Sequence, residues 1–161
     1  MDTTFSYIKT SRDNLDSRKS HPPDGGEGQA SCLKGILIVE DDPAIRSLLR
    51  TILESAHYRI FEADSESQAF RIWNKYFCHI DLLITDICIP YQTTGVELAK
   101  KLREEKSWLK VIYTTGFSPE IVEQDSVSLI ENVNFFGKPF SSGKLLEALR
   151  ASFAKTGAHA D

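Results

Sequence analysis

Residues 36–49 read ILIVEDDPAIRSLL, and the fold is decided where this stretch changes its period. ILIVE (36–40) is a short apolar run of the buried-strand kind. Asp42 followed by Pro43 is a helix start, with Asp as the N-cap and Pro at the first helical position. Ile45, Leu48, Leu49, Ile52 and Leu53 then recur at the spacing of one helical face. A buried strand that runs through an acidic turn into an amphipathic helix is one β-α unit.

The same unit repeats downstream. YRIFEA (58–63) reads as a second strand, and Ala69, Ile72, Trp73, Tyr76 and Phe77 mark the helix after it. IDLLITD (80–86) is a third strand, followed by a helix over 95–105 with Leu98, Ala99 and Leu102 inside. KVIYTT (110–115) is a fourth strand and 118–129 a weaker, polar helix. NVNFF (132–136) is a fifth strand. Leu145, Ala148, Leu149, Ser152 and Phe153 mark a last helix behind a Ser141/Ser142 cap. Strands alternating with helices predict an α/β domain with a parallel sheet, because each right-handed crossover lays its helix on the sheet. Five units are too few to close an eight-stranded barrel. The expectation is an open, doubly wound, five-stranded parallel sheet of flavodoxin-like order 2-1-3-4-5, with helices on both faces.

Upstream the composition is different. Residues 1–34 include SRKSHPPDGGEGQAS, rich in Ser, Pro, Gly and charge and poor in core formers. Such a segment buries too little apolar area to offset its ordering entropy, so it reads as a flexible N-terminal arm. Phe5, Tyr7 and Ile8 are its one candidate docking motif. The domain expected is 35–155, with a short C-terminal tail at 156–161. The arm carries five basic and five acidic residues, so the formal net charge of −4 belongs wholly to the rest of the 161-residue chain. No basic stripe stands out, which argues against nucleic acid as a partner. No run of about 18 apolar residues exists to span a membrane, and no signal-peptide core follows the N-terminus. Cys32, Cys78 and Cys88 cannot all pair and have no CxxC spacing, so a reducing cytoplasm is expected.

The polar residues gather where the strands end. Strand one ends in Glu40-Asp41-Asp42, strand three in Asp86, strand four in Thr114-Thr115-Gly116, and strand five near Lys138-Pro139. In the expected order these converge on one edge of the sheet, with strands three and five roughly 9–10 Å apart. Each taken alone has an ordinary structural reading, and Asp42 is read as a helix cap. Asp86 is the least ordinary, because an ionised carboxylate after an apolar strand is costly unless paired or bound to metal. Glu40, Asp41 and Asp86 would repel one another, and a hard divalent cation relieves this. Oxygen-only ligands with room for water suit magnesium. Asp86 can then serve as a nucleophile toward a phosphoryl group, with Lys138 and the Thr115 hydroxyl contacting its oxygens.

These residues resemble the receiver family of bacterial two-component response regulators. The matching motifs are ILIVEDDPAIRSLL (36–49), LLITDICIP (82–90), VIYTTGF (111–117) and FFGKPF (135–140). The resemblance covers about 35–154, and the stretch TGFSPE (115–120) to NFFGKPF (134–140) looks particularly like receivers attached to hybrid histidine kinases. It implies that Asp86 is the phosphoacceptor. It implies that Asp41 binds magnesium directly, Glu40 largely through water, and Cys88 through its backbone carbonyl. It assigns Thr115 and Lys138 to the phosphoryl group and Phe135 to the switch aromatic, and makes a cis Lys138-Pro139 bond an expectation. Two departures stand out. YQTT (91–94), between Pro90 and Gly95, is one residue longer than the usual turn, and position 135 is Phe rather than Tyr.

The function implied is a two-state signalling switch and not an enzyme acting on other substrates. It would take its phosphoryl group from a histidine kinase or a histidine phosphotransfer protein. Too few residues follow 155 for an output segment, so output to an unknown downstream target is expected through protein contacts. Cys88 and Phe117 each follow a reacting residue, Asp86 and Thr115, by two positions. Neither is a good base, so slow loss of phosphate is expected. Haloacid-dehalogenase-like phosphatases also use an Asp nucleophile, but they need an acid where Cys88 stands. A flavodoxin-like phosphate loop is disfavoured by the acidic turn EDDP (40–43). The main alternative is a degenerate receiver used only for binding, which the intact Asp41, Asp86, Thr115 and Lys138 disfavour.

Overall fold

A computed structural model describes residues 33–88, 94–116, 129–131 and 133–154. Five strands and four α-helices lie among them, alternating as far as β4. These are β1 (Gly35–Val39), α1 (Pro43–Ser55), β2 (Arg59–Ala63), α2 (Glu66–Tyr76), β3 (Leu82–Asp86), α3 (Gly95–Glu105), β4 (Lys110–Thr115), β5 (Phe135–Gly137) and α4 (Ser142–Ala154). A short 3-10 turn, Phe77–His79, continues α2. The expected arm but for Leu33 and Lys34, the C-terminal tail, the loop from 89 to 93 and all of the expected 118–129 helix but Leu129 lie outside the described residues.

The strands form one parallel sheet of order β2-β1-β3-β4-β5, as the alternation of elements predicts. Strand side chains alternate between the faces, and both faces are covered. Leu37, Val39, Leu83, Val111, Tyr113 and Phe135 meet Ala69 and Trp73 of α2 and Leu98, Ala99 and Leu102 of α3. On the opposite face Ile36, Ile38, Leu82, Ile84, Ile112 and Phe136 meet Leu49 and Leu53 of α1 and Leu145 and Leu149 of α4. Among the described residues, no helix is long and apolar enough to cross a membrane.

Local chemistry sets the helix starts. The Asp42 side chain accepts from the Ala44 and Ile45 amides with Pro43 in the first turn, as its reading as a cap requires. Ser65 caps α2. Thr94 and Glu97 form a reciprocal capping box on α3.

The structure differs from the sequence reading in several details. Leu48, which the spacing puts on the buried face of α1, is 54% exposed, and the helix meets the sheet through Leu49 and Leu53 with Ile45 packed beside them. The third strand begins at Leu82 rather than Ile80, since Ile80 closes the 3-10 turn and Asp81 instead clips β1, its carboxylate accepting from the Gly35 amide. The fifth strand covers 135–137 rather than 132–136. Val133 and Asn134 turn back, both amides donating to the Ile130 carbonyl, while the Asn134 side chain accepts from the Ile130 amide.

Candidate functional site

The parallel order brings the carboxyl ends of β1, β3, β4 and β5 to one edge, where an open α/β sheet leaves its crevice. Glu40 and Asp41 leave the end of β1, and the Glu40 amide still donates to Ala63 of β2 at 3.1 Å. Asp86 is the last residue of β3, paired in register with Thr114. One carboxylate oxygen from each of Glu40, Asp41 and Asp86 lies within 4.8 Å of the others. Glu40 is 1% exposed and Asp86 6%, whereas Asp41 opens to solvent.

Lys138 follows β5, two strands from β3, and its stem spans that distance. Its ammonium lies 2.5 Å from Asp86 Oδ2 and 2.7 Å from Glu40 Oε2. Its own amide donates to the Thr115 carbonyl at 2.7 Å, so the end of β4 fixes the base of the lysine. The Lys138-Pro139 bond is cis. Burial works against the ammonium, but the hydrogen bonds and charges of Asp86 and Glu40 outweigh it and hold its pKa above the ordinary lysine value. Burial also raises Glu40 above the ordinary carboxylate value, and the Lys138 contact only partly opposes this.

Three carboxylates against one ammonium leave an excess of negative charge at this edge. All donors of the cluster are oxygens, and its exposed member leaves a path from solvent. Such a donor set fits a hard divalent cation that keeps some of its water.

Other expected residues have different surroundings. Thr115 is fully buried at the end of β4, in register with Gly137. Phe135 is 3% exposed and packs in the core on the α2 and α3 side. The Cys88 amide donates to Asp86 Oδ1 at 2.9 Å, while its side chain is exposed. Phe117 lies outside the described residues.

Three features escaped the sequence reading. The first is the bond from Lys138 to Glu40, since the lysine was expected only to face Asp86 and a phosphoryl oxygen. The second is Gly95, whose amide donates to the Ile87 carbonyl at 3.0 Å. A Cβ at Gly95 would stand 2.0 Å from the Asp86 carbonyl oxygen and 2.7 Å from Thr85 Oγ1. Glycine at the first position of a helix that already has a Thr cap was the available signal. The third is Arg46, which donates to the Glu40 carbonyl at 2.6 Å.

The family model for the response regulator receiver domain matches residues 36–150. CpdR of Brucella abortus (strain 2308), a response regulator receiver protein, is 34% identical over 109 residues, 67% of this chain and 87% of CpdR. ArcA of Escherichia coli (strain K12), an aerobic respiration control protein, is 31% identical over 121 residues, 75% of this chain and 49% of ArcA. The chain thus spans about half the length of that second relative. Among solved structures, the chemotaxis response regulator CheY4 of Vibrio cholerae aligns with a TM-score of 0.63 at 26% identity, covering 74% of this chain and 98% of that one. The receiver domain of the hybrid histidine kinase CckA aligns with a TM-score of 0.59 at 29% identity, covering 73% and 97%.

Proposed function

The chain belongs to the response regulator receiver family, and from that premise we propose that it is a phosphoacceptor switch whose acceptor is Asp86. The observation that carries this reading is the buried Asp86 carboxylate, bonded to Lys138 and within 4.8 Å of Glu40 and Asp41. A carboxylate oxygen of Asp86 attacks the phosphorus of a phosphohistidine or a small acyl phosphate. The bond from phosphorus to the donor breaks, and the product is an aspartyl phosphate. The donor protein is a histidine kinase or a histidine phosphotransfer protein, and output passes through protein contacts in a reducing cytoplasm.

Glu40, Asp41, Asp86 and the Cys88 carbonyl would hold magnesium. When bound, the metal neutralises charge on the transferring group. Lys138 has a separate task. With Asp86 phosphorylated, its ammonium can move from the carboxylate to a phosphoryl oxygen, keeping a charge-assisted bond throughout. Thr115 supplies a hydroxyl to another oxygen, and Phe135 reports the change by repacking. The phosphoryl group shifts the two states only by its preference for one of them. Neither Cys88 nor Phe117, two positions after Asp86 and Thr115, offers a base, so phosphate loss is slow.

Intact-mass spectrometry after incubation with acetyl phosphate and magnesium tests the assignment. Wild type should gain one phosphoryl group and Asp86→Asn none. Failure on wild type, with magnesium bound, would favour a module that works without phosphorylation. Failure of both phosphorylation and magnesium binding would make the acidic cluster structural.

A further inference from the structure

Arg46 stands on the first turn of α1, beside the acidic edge but not in its carboxylate cluster. Its Nη1 donates to the Glu40 carbonyl at 2.6 Å and to the Asp41 carbonyl at 3.3 Å. Its Nε faces Glu62 Oε1 of β2 at 3.9 Å. The other oxygen of Glu62 accepts from Arg50 Nη1 at 2.9 Å, so the carboxylate is set between two arginines of α1. A guanidinium is planar, always charged and rich in donors, which suits it to bridge two carbonyls and a carboxylate at once.

These contacts fall on the two residues that leave β1. The Glu40 amide is tied to Ala63 of β2, and the carbonyls of Glu40 and Asp41 are tied to Arg46 of α1. The turn is thereby fastened on both sides. The bonds go to carbonyl oxygens, so Arg46 takes up no carboxylate oxygen of Glu40 or Asp41. A small rotation of either peptide would swing its carboxylate away from Asp86.

We infer that Arg46, oriented by Glu62, is a positioning residue that holds Glu40 and Asp41 in the arrangement a divalent cation needs. The inference rests on the metal-site reading given above. Groups that orient metal ligands from behind change metal affinity when they are removed, by about 10- to 100-fold. A clamp that served the fold alone would change stability and leave affinity unmoved.

The test uses the full chain and manganese as the probe, with free Mn2+ read by electron paramagnetic resonance and magnesium added as competitor. Urea unfolding of each variant is measured beside it. Wild type should bind one ion per chain, and Asp41→Asn should lose it. Arg46→Met keeps the apolar stem without the guanidinium, and its affinity should fall by about 10-fold or more. Arg46→Lys should lie between. Affinity of Arg46→Met equal to wild type, with Asp41→Asn inactive in binding, overturns the role of Arg46 and leaves the site reading intact. No binding by wild type overturns both. If Arg46→Met does not fold, Glu62→Gln decides. This variant retains Arg46 but frees it to turn, and a loss of affinity smaller than that of Arg46→Met is expected. Unchanged affinity there overturns the inference.

Discussion

At the scale of single residues, Lys138 and Gly95 do opposite things to Asp86. Lys138 supplies charge. Its side chain is 13% exposed, against 1% for Glu40 and 8% for Asp86, so the three groups meet with little water. Removing one partner of such a cluster leaves charge buried without compensation. Lys138→Met is therefore expected to lower stability by about 3 kcal/mol, read by urea unfolding without divalent cations. Adding Glu40→Gln should recover part of that loss, because one of the stranded charges is then removed. A double variant no more stable than the single one would mean that the ion pairs contribute little. Gly95 supplies space. Its α-carbon lies against the Asp86 peptide so closely that a methyl group would meet the carbonyl oxygen at 2.0 Å. Gly95→Ala must shift either α3 or the end of β3, at a cost of about 2 kcal/mol. Phosphorylation by acetyl phosphate should slow as well, measured at a temperature where the variant stays folded. An unchanged rate would place the strain in α3 alone.

At the scale of elements, helix caps and acidic ligands compete for the same residues, and the turn after β1 separates them. Asp42 is occupied by the Ala44 and Ile45 amides. Asp42→Ala should cost about 1 kcal/mol of stability and leave manganese affinity near wild type. Asp41→Asn should do the reverse. Such division was legible in the sequence because Asp-Pro before an amphipathic run is a local signal. β1, α3 and β4 were legible for similar reasons, as period and capping residues fix them within a few positions. β5 was not, because NVNFF (132–136) satisfies strand propensity over its whole length. Its start is set by Asn134, whose side chain closes the preceding turn onto the Ile130 amide. The Glu40 contact of Lys138 joins residues 98 apart in sequence and depends on side-chain reach, which no local pattern encodes. Lys106, just past α3, was equally hidden. It is 6% exposed and donates to the carbonyls of Ile80 and Phe77 at 2.7 and 3.2 Å, capping the 3-10 turn after α2. Burial lowers its pKa below the ordinary lysine value of 10.5. Between the folded and unfolded values the unfolded chain binds more protons, so stability contributed by Lys106 rises with pH across that window. The stability gap between wild type and Lys106→Met should therefore widen from neutral to alkaline pH, as read by urea unfolding. A gap that narrows would mean the charged form is the one the fold favours.

At the scale of the whole molecule, the sheet concentrates at one edge what the fold cannot easily pay for. Two hydrophobic layers cover β1, β3 and β4 on both faces, so the polar ends of these strands have only the crevice to occupy. There the ammonium of Lys138 pairs with Glu40 and Asp86, and Asp41 adds a third carboxylate to the cluster. The folded state gathers like charges that the unfolded chain keeps apart. A ligand that binds only the folded state stabilises it by mass action, by about 2.7 kcal/mol at a hundredfold excess over Kd. Magnesium should therefore raise the melting temperature, and a chelator should reverse the rise. For a domain of this size each 1 kcal/mol corresponds to about 3 °C, so saturation should give a shift of several degrees. Asp86→Asn removes one repelling charge. This variant should melt above wild type in chelator and gain less from magnesium, so the two curves converge as the cation is added. Calorimetric melts of both proteins across a magnesium series measure this directly. Parallel curves, or a wild-type melt indifferent to magnesium, would mean that Lys138 already balances the cluster and that no cation completes it.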